Sequence, residues 1–128
     1  MERQLKILVL DDEEIVCTRL KPALEKDGYH VETCTDSQQA KQRIDESAYD
    51  IVVTDLKMPG LDGMEIFRFI RDTRPATRVI MISGFATVEV AREALKAGVR
   101  DIIAKPFKIS RLKELIDEVS AEIRQSDG

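Results

Sequence analysis

Five polar side chains close short apolar runs in this sequence. Asp11 and Asp12 follow Leu5 to Leu10, Asp55 follows Ile51 to Val53, Ser83 follows Val79 to Ile82, and Lys105 follows Ile102 to Ala104. A single acid in such a place says little, but three acids, a hydroxyl and an amine define a chemistry once a fold gathers them. Crowded carboxylates repel, and one takes up a proton unless a cation intervenes. With no imidazole or thiolate nearby, Asp11, Asp12 and Asp55 suit a hard, oxygen-seeking ion such as Mg2+ far better than zinc. Lys105 contributes positive charge, and Ser83, followed by Gly84, contributes a hydroxyl on a loop that permits close approach. Both suit a phosphoryl group, whose transfer needs in-line positioning and neutralised equatorial oxygens. Asp55 is then the candidate nucleophile, and its product is an aspartyl phosphate, a reactive mixed anhydride. Plainer readings compete residue by residue: Asp12 as a cap of the first helix, Asp55 as the end of a strand.

Whether the five meet depends on the elements that carry them. Branched apolar runs at Leu5 to Leu10, Val31 to Cys34, Ile51 to Val53, Val79 to Ile82 and Ile102 to Ala104 read as strands. Four are continuously apolar, as strands covered on both faces must be, while the second is more polar and suits an edge. Between them lie helical patterns over residues 13–27, 37–46 and 63–73, then Ala91, Ala94, Leu95 and Gly98, then Leu112, Leu115, Ile116, Val119 and Ile123. Gly28 and Gly98 fit helix stops, Pro59 and Gly60 a turn, and Asp62 a helix cap. The order is (βα) repeated five times, which predicts an α/β, three-layer, doubly wound parallel sheet with right-handed crossovers. In open sheets of this kind ligands gather outside the carboxyl ends of the strands, so five scattered positions become one place.

Length and composition set the outer bounds. A chain of 128 residues, 43% hydrophobic, supports one domain with a real core. We expect it over residues 1–124, with the polar tail 125–128, inside "RQSDG", as a frayed terminus or the start of a linker. A formal charge of -4 opposes direct nucleic-acid contact. No apolar run approaches the roughly 20 residues of a membrane span, and the Met-Glu-Arg-Gln start lacks a signal-peptide pattern, which predicts a cytoplasmic protein with no membrane contact. Cys17 and Cys34 form no CxxC pair and read as buried free thiols, and His30, at the start of the second strand, reads as structural.

Taken together, "ILVLDDEE", "VVTDLKMPGLDG", "VIMISGFAT" and "DIIAKPF", in this order and spacing, resemble the receiver domains of two-component response regulators across residues 5–124. The resemblance implies a flavodoxin-like fold with strand order 2-1-3-4-5. It implies that Asp55 is the phosphoacceptor, that Asp12, Asp55 and the backbone carbonyl of Lys57 bind Mg2+, and that Asp11 helps through a bound water. Ser83, replacing the commoner threonine, would bond the phosphoryl oxygen, Lys105 would pair with it, and the bond from Lys105 to Pro106 would be cis. The phosphoryl group would come from a histidine kinase or a phosphotransfer protein. Such a domain catalyses only its own phosphorylation and dephosphorylation and is not an enzyme of multiple turnover. Phosphorylation would remodel the surface of residues 85–105 and the last helix, which would meet a downstream effector domain or protein, or a second copy in a homodimer. Lys57 and Phe85 flank the expected phosphoryl position. The chain departs from the family at Ile102, where an aromatic residue usually stands, so an aromatic rotamer switch cannot operate at that position. Ser83, Phe85 and Ile102 are the switch candidates, and Phe107 reads as a core residue.

Three other readings fit parts of the pattern. An aspartate-nucleophile phosphatase would want a second acid two positions after Asp55, where the chain has Lys57, and an insertion large enough to enclose a substrate. A flavin or nucleotide binder would want a phosphate cradle, but the first loop is "DDEE", and neither GxxxxGK nor GxGxxG occurs. A phosphorylation-independent interaction module would keep the fold and lose the site, whereas Asp11, Asp12, Asp55, Ser83 and Lys105 are all present.

Overall fold

The computed structural model describes residues 3–84 and 87–127. Strands and helices alternate: β1 (Lys6–Leu10), α1 (Glu14–Glu25), β2 (His30–Cys34), α2 (Ser37–Glu46), β3 (Ile51–Asp55), α3 (Gly63–Thr73), β4 (Arg78–Ser83), α4 (Val88–Ala97), β5 (Asp101–Ala104) and α5 (Ile109–Asp127). All strand pairs are parallel, in the order β2-β1-β3-β4-β5. The expected fold is therefore the observed one, with the polar β2 on an edge. Phe85, a candidate for the switch, lies outside the described residues.

Alternation along each strand builds two cores. Ile7, Val9, Ile51, Val53, Ile80 and Ile82 face one side and pack with Leu20 of α1 and Leu112, Leu115, Ile116 and Val119 of α5. Leu8, Leu10, Val52 and Met81 face the other side and meet Ala40 and Ile44 of α2, Ile66, Phe67 and Ile70 of α3, and Ala94 of α4. Neither face is left to water, which explains why the central strands read as unbroken apolar runs. Cys17 and Cys34 are buried free thiols, Phe107 is half-buried against the first core, and Ile102 is half-buried against the second.

Local signals end the helices as expected. The carboxylate of Asp62 accepts the Glu65 amide at 2.9 Å and caps α3, and Gly98, at φ +118°, closes α4 in the left-handed region that favours glycine. The first helix differs: its cap position is Glu13, whose side chain makes no cap bond, so Asp12 is not the cap.

At the polar C-terminus α5 runs to Asp127, which is tied by its carboxylate to Arg3 at 3.0 Å. The same guanidinium grips Asp50 bidentately at 2.7 and 2.9 Å, and the Lys6 amide adds a third bond at 2.8 Å. Burial alone would raise the Asp50 pKa, but these bonds outweigh it and hold the group below its ordinary value. A depressed folded pKa gives stability that is present above the unfolded value and lost as pH falls through the folded one. Because Arg3 is half exposed, solvent screening limits the gain to about 1 kcal/mol. Asp50→Asn should therefore lower stability at pH 7 by about that amount in urea melts, with the gap to wild type closing below the ordinary aspartate value of 3.8. A gap unchanged in acid would assign the loss to packing.

Candidate functional site

The carboxyl edge of the sheet carries the site. Asp55 is the last residue of β3 and Ser83 the last of β4, while Asp11 follows β1 and Lys105 follows β5. Neighbouring strands lock them in register, with Ser83 opposite Ala104 and the Lys105 amide bonded to the Ser83 carbonyl at 2.8 Å. The Leu56 amide bonds Ile82 at 3.1 Å, which fixes the chain just beyond Asp55. The peptide bond from Lys105 to Pro106 is cis.

The ammonium of Lys105 lies 2.8 Å from Asp55 Oδ2, 2.8 Å from Asp11 Oδ2 and 3.0 Å from Glu13 Oε1. Asp11 and Asp55 are buried, Asp12 is exposed, and carboxylate oxygens of all three aspartates lie within 4.8 Å of one another. Burial pushes the Asp11 pKa up, partly offset by the adjacent Lys105 ammonium and the Glu13 amide, and the charge of Asp55 raises it further. Burial disfavours the charged form of Lys105, but the adjacent carboxylates of Asp11, Asp55 and Glu13 win and raise its pKa. The ammonium therefore stays charged across the physiological range.

A hard divalent ion fits this donor set. Three carboxylates carry more negative charge than one lysine cancels, and the buried Asp11 Oδ2 accepts no well-aligned hydrogen bond, although Lys105 is beside it. That oxygen retains lone pairs for an ion or its water. Lys57 is exposed, and its amide donates to Asp55 Oδ1 at 3.2 Å.

Three residues that hold this geometry carried no signal of their own in the sequence. Glu13 reaches Lys105 from α1's cap position. Ser37, buried at the start of α2, accepts the Leu61 amide at 3.0 Å and donates to the Pro59 carbonyl at 3.3 Å, pinning the loop between β3 and α3. Gly63 sits where a Cβ would lie 2.4 Å from the Asp55 carbonyl oxygen.

A parallel sheet in the order 2-1-3-4-5, with an acidic cluster and a lysine at its carboxyl edge, defines the flavodoxin-like signalling class. The family model for the response regulator receiver domain matches residues 7–117, and the chain belongs to that family. It is 33% identical over 116 residues to the chemotaxis protein CheY of Thermotoga maritima, covering 90% of this chain and 97% of that one. It is also 33% identical over 123 residues to the transcriptional regulatory protein ZraR of Salmonella typhimurium, covering 96% of this chain but only 28% of that regulator's length. A crystal structure of a CheY-like receiver domain from Methanospirillum hungatei superposes with a TM-score of 0.91 at 28% identity, covering 97% of this chain and 99% of that one. The domain is thus a receiver of the phosphorylation-controlled signalling class, and the readings as a phosphorylation-independent interaction module or a phosphatase are not favoured. Among the described residues no helix is long and apolar enough to cross a membrane.

Proposed function

We propose that this domain takes a phosphoryl group onto Asp55, in a magnesium-dependent reaction, from a histidine kinase or a phosphotransfer protein. The observation that carries this reading is the Lys105 ammonium held 2.8 Å from Asp55 Oδ2 within a cluster of three aspartates. An Asp55 oxygen forms the new bond to phosphorus as the donor's P–N or P–O bond breaks, and the leaving group keeps that electron pair. Lys105 offers an N–H to a phosphoryl oxygen, and the Ser83 hydroxyl, at the end of the adjacent strand, offers another donor. Mg2+, held by Asp12, Asp55 and the Lys57 carbonyl with Asp11 acting through water, would neutralise charge on the phosphoryl oxygens. The protein reacts once per phosphoryl group, so it modifies itself and turns over no separate substrate.

The output is a changed surface. Val88 and Leu95 leave large apolar side chains exposed on α4, beside the half-buried Ile102 of β5, which supports this face as the one that meets an effector domain, an effector protein or a second copy. With no aromatic at position 102, movement of Ser83 toward the phosphoryl group would act on α4 through Ile102. The two-component setting supports a cytoplasmic location. Intact-mass measurement with acetyl phosphate checks the reading: we expect one added phosphoryl group with Mg2+ and none when EDTA is in excess. No adduct under either condition defeats it.

A further inference from the structure

The position of Glu13 is not explained by folding. It occupies the cap position of α1, yet its side chain makes no cap bond; its Oε1 instead accepts a hydrogen bond from Lys105 at 3.0 Å. Its backbone is fixed by the Asp11 carboxylate, which accepts the Glu13 amide at 2.8 Å. Lys105 therefore has acids on three sides: its ammonium donates to Asp55 and Glu13, while Asp11 Oδ2 lies 2.8 Å away without a well-aligned bond.

We propose that Glu13 is a positioning residue that holds the Lys105 ammonium while Asp55 is unmodified and releases it to the phosphoryl group. This inference rests on Asp55 being the phosphoacceptor. A phosphoryl group on Asp55 needs the Lys105 ammonium to turn and move toward its oxygens, and an ammonium anchored between these acids must loosen its hold on one of them. The Asp11 side chain is 0% exposed and Asp55 8%, whereas Glu13 is 59% exposed. Stripping the counter-charge from a buried carboxylate is expensive, but an exposed one is rehydrated at once. Glu13 is the acid that lets go. The exchange breaks one N–H···O bond to Glu13 and makes one to a phosphoryl oxygen, with no proton transferred. Glu13 also places a negative charge beside the path of an anionic donor, so its release and its charge both slow phosphoryl uptake in the wild-type chain.

Glu13→Gln keeps the shape, removes the charge and weakens the hold on Lys105. At Mg2+ concentrations that saturate each variant, it should accelerate phosphorylation by acetyl phosphate about two- to fivefold at low salt, the range an exposed ion pair supports. The advantage should shrink towards unity in 1 M salt, where the screening length is about 3 Å. Placing Glu13→Gln in a Lys105→Met background should remove the acceleration, since the two residues act as one pair. A rate at or below wild type, or an acceleration that survives both high salt and loss of Lys105, overturns the inference. Failure of the wild-type domain to take up any phosphoryl group would instead overturn the assignment of Asp55.

Discussion

Asp55→Asn should take up no phosphoryl group and, free of metal, should unfold at a higher temperature than the wild-type domain. The first outcome follows from nucleophilicity: an amide oxygen does not attack phosphorus at a useful rate, and no other carboxylate in the cluster is held on β3 facing the lysine. The second follows from charge. Three aspartates with oxygens within 4.8 Å, plus Glu13, set four negative charges against the single positive charge of Lys105. Like charges in a partly buried pocket are strongly unfavourable. Replacing Asp55 removes one of them, while Lys105 keeps Asp11 and Glu13 as partners, so a net gain of about 1 kcal/mol is expected at neutral pH. A bound dication stabilises only the folded state, by about 2.7 kcal/mol at one hundred times its dissociation constant. Adding Mg2+ should therefore raise the melting temperature of the wild type and much less that of Asp55→Asn. Intact mass and calorimetry with and without Mg2+ read both outcomes. An adduct on Asp55→Asn would move the acceptor to another residue, and a variant less stable than wild type would mean that the bond to Lys105 outweighs the repulsion.

The placement of that pocket could be read from sequence because it depends on period and strand ends alone. Continuous apolar runs separated by one-face helical spacings force a covered parallel sheet, and the carboxyl ends of such a sheet collect whatever residues terminate the runs. Asp11, Asp55, Ser83 and Lys105 needed no further information. The strands nevertheless reach further than their apolar runs, through Asp55 and Ser83, because ladder hydrogen bonds persist after the side chains turn polar. The last helix likewise outruns its apolar stripe, since Arg3, more than one hundred residues away, holds Asp127. Glu13, Ser37 and Gly63 were invisible for a related reason. Each acts through a partner distant in sequence or through the absence of a side chain, and no local pattern distinguishes a serine that pins a loop from one that caps a helix.

Gly63→Ala should be the most damaging conservative change in the domain. The first residue of α3 lies against the end of β3, its amide bonded to the Leu56 carbonyl at 2.8 Å. A methyl group there would stand 2.4 Å from the Asp55 carbonyl oxygen and 2.8 Å from the Leu56 Cα, both backbone atoms that no rotamer change can move aside. Alanine favours helix over glycine by about 1 kcal/mol, but overpacking of this kind costs about 1–3 kcal/mol and occasionally more. Steric cost wins, with a net loss of about 2 kcal/mol, or roughly 5–10 °C in melting temperature. Relief requires α3 to back away or the Asp55 to Lys57 segment to shift, and that segment sets the Asp55 carboxylate and the Lys57 carbonyl. Phosphorylation should therefore slow by more than tenfold even at temperatures where the variant is fully folded, since small displacements at a reacting centre cost about 100-fold. Gly84→Ala is the control for stability, because a Cβ there meets nothing within 4 Å among the described residues and should leave the melting temperature unchanged. Calorimetry and phosphorylation rates on the two variants decide the matter: a Gly63→Ala domain as stable and as reactive as wild type would mean that α3 slides freely on β3, and the close contact would then not be what positions Asp55.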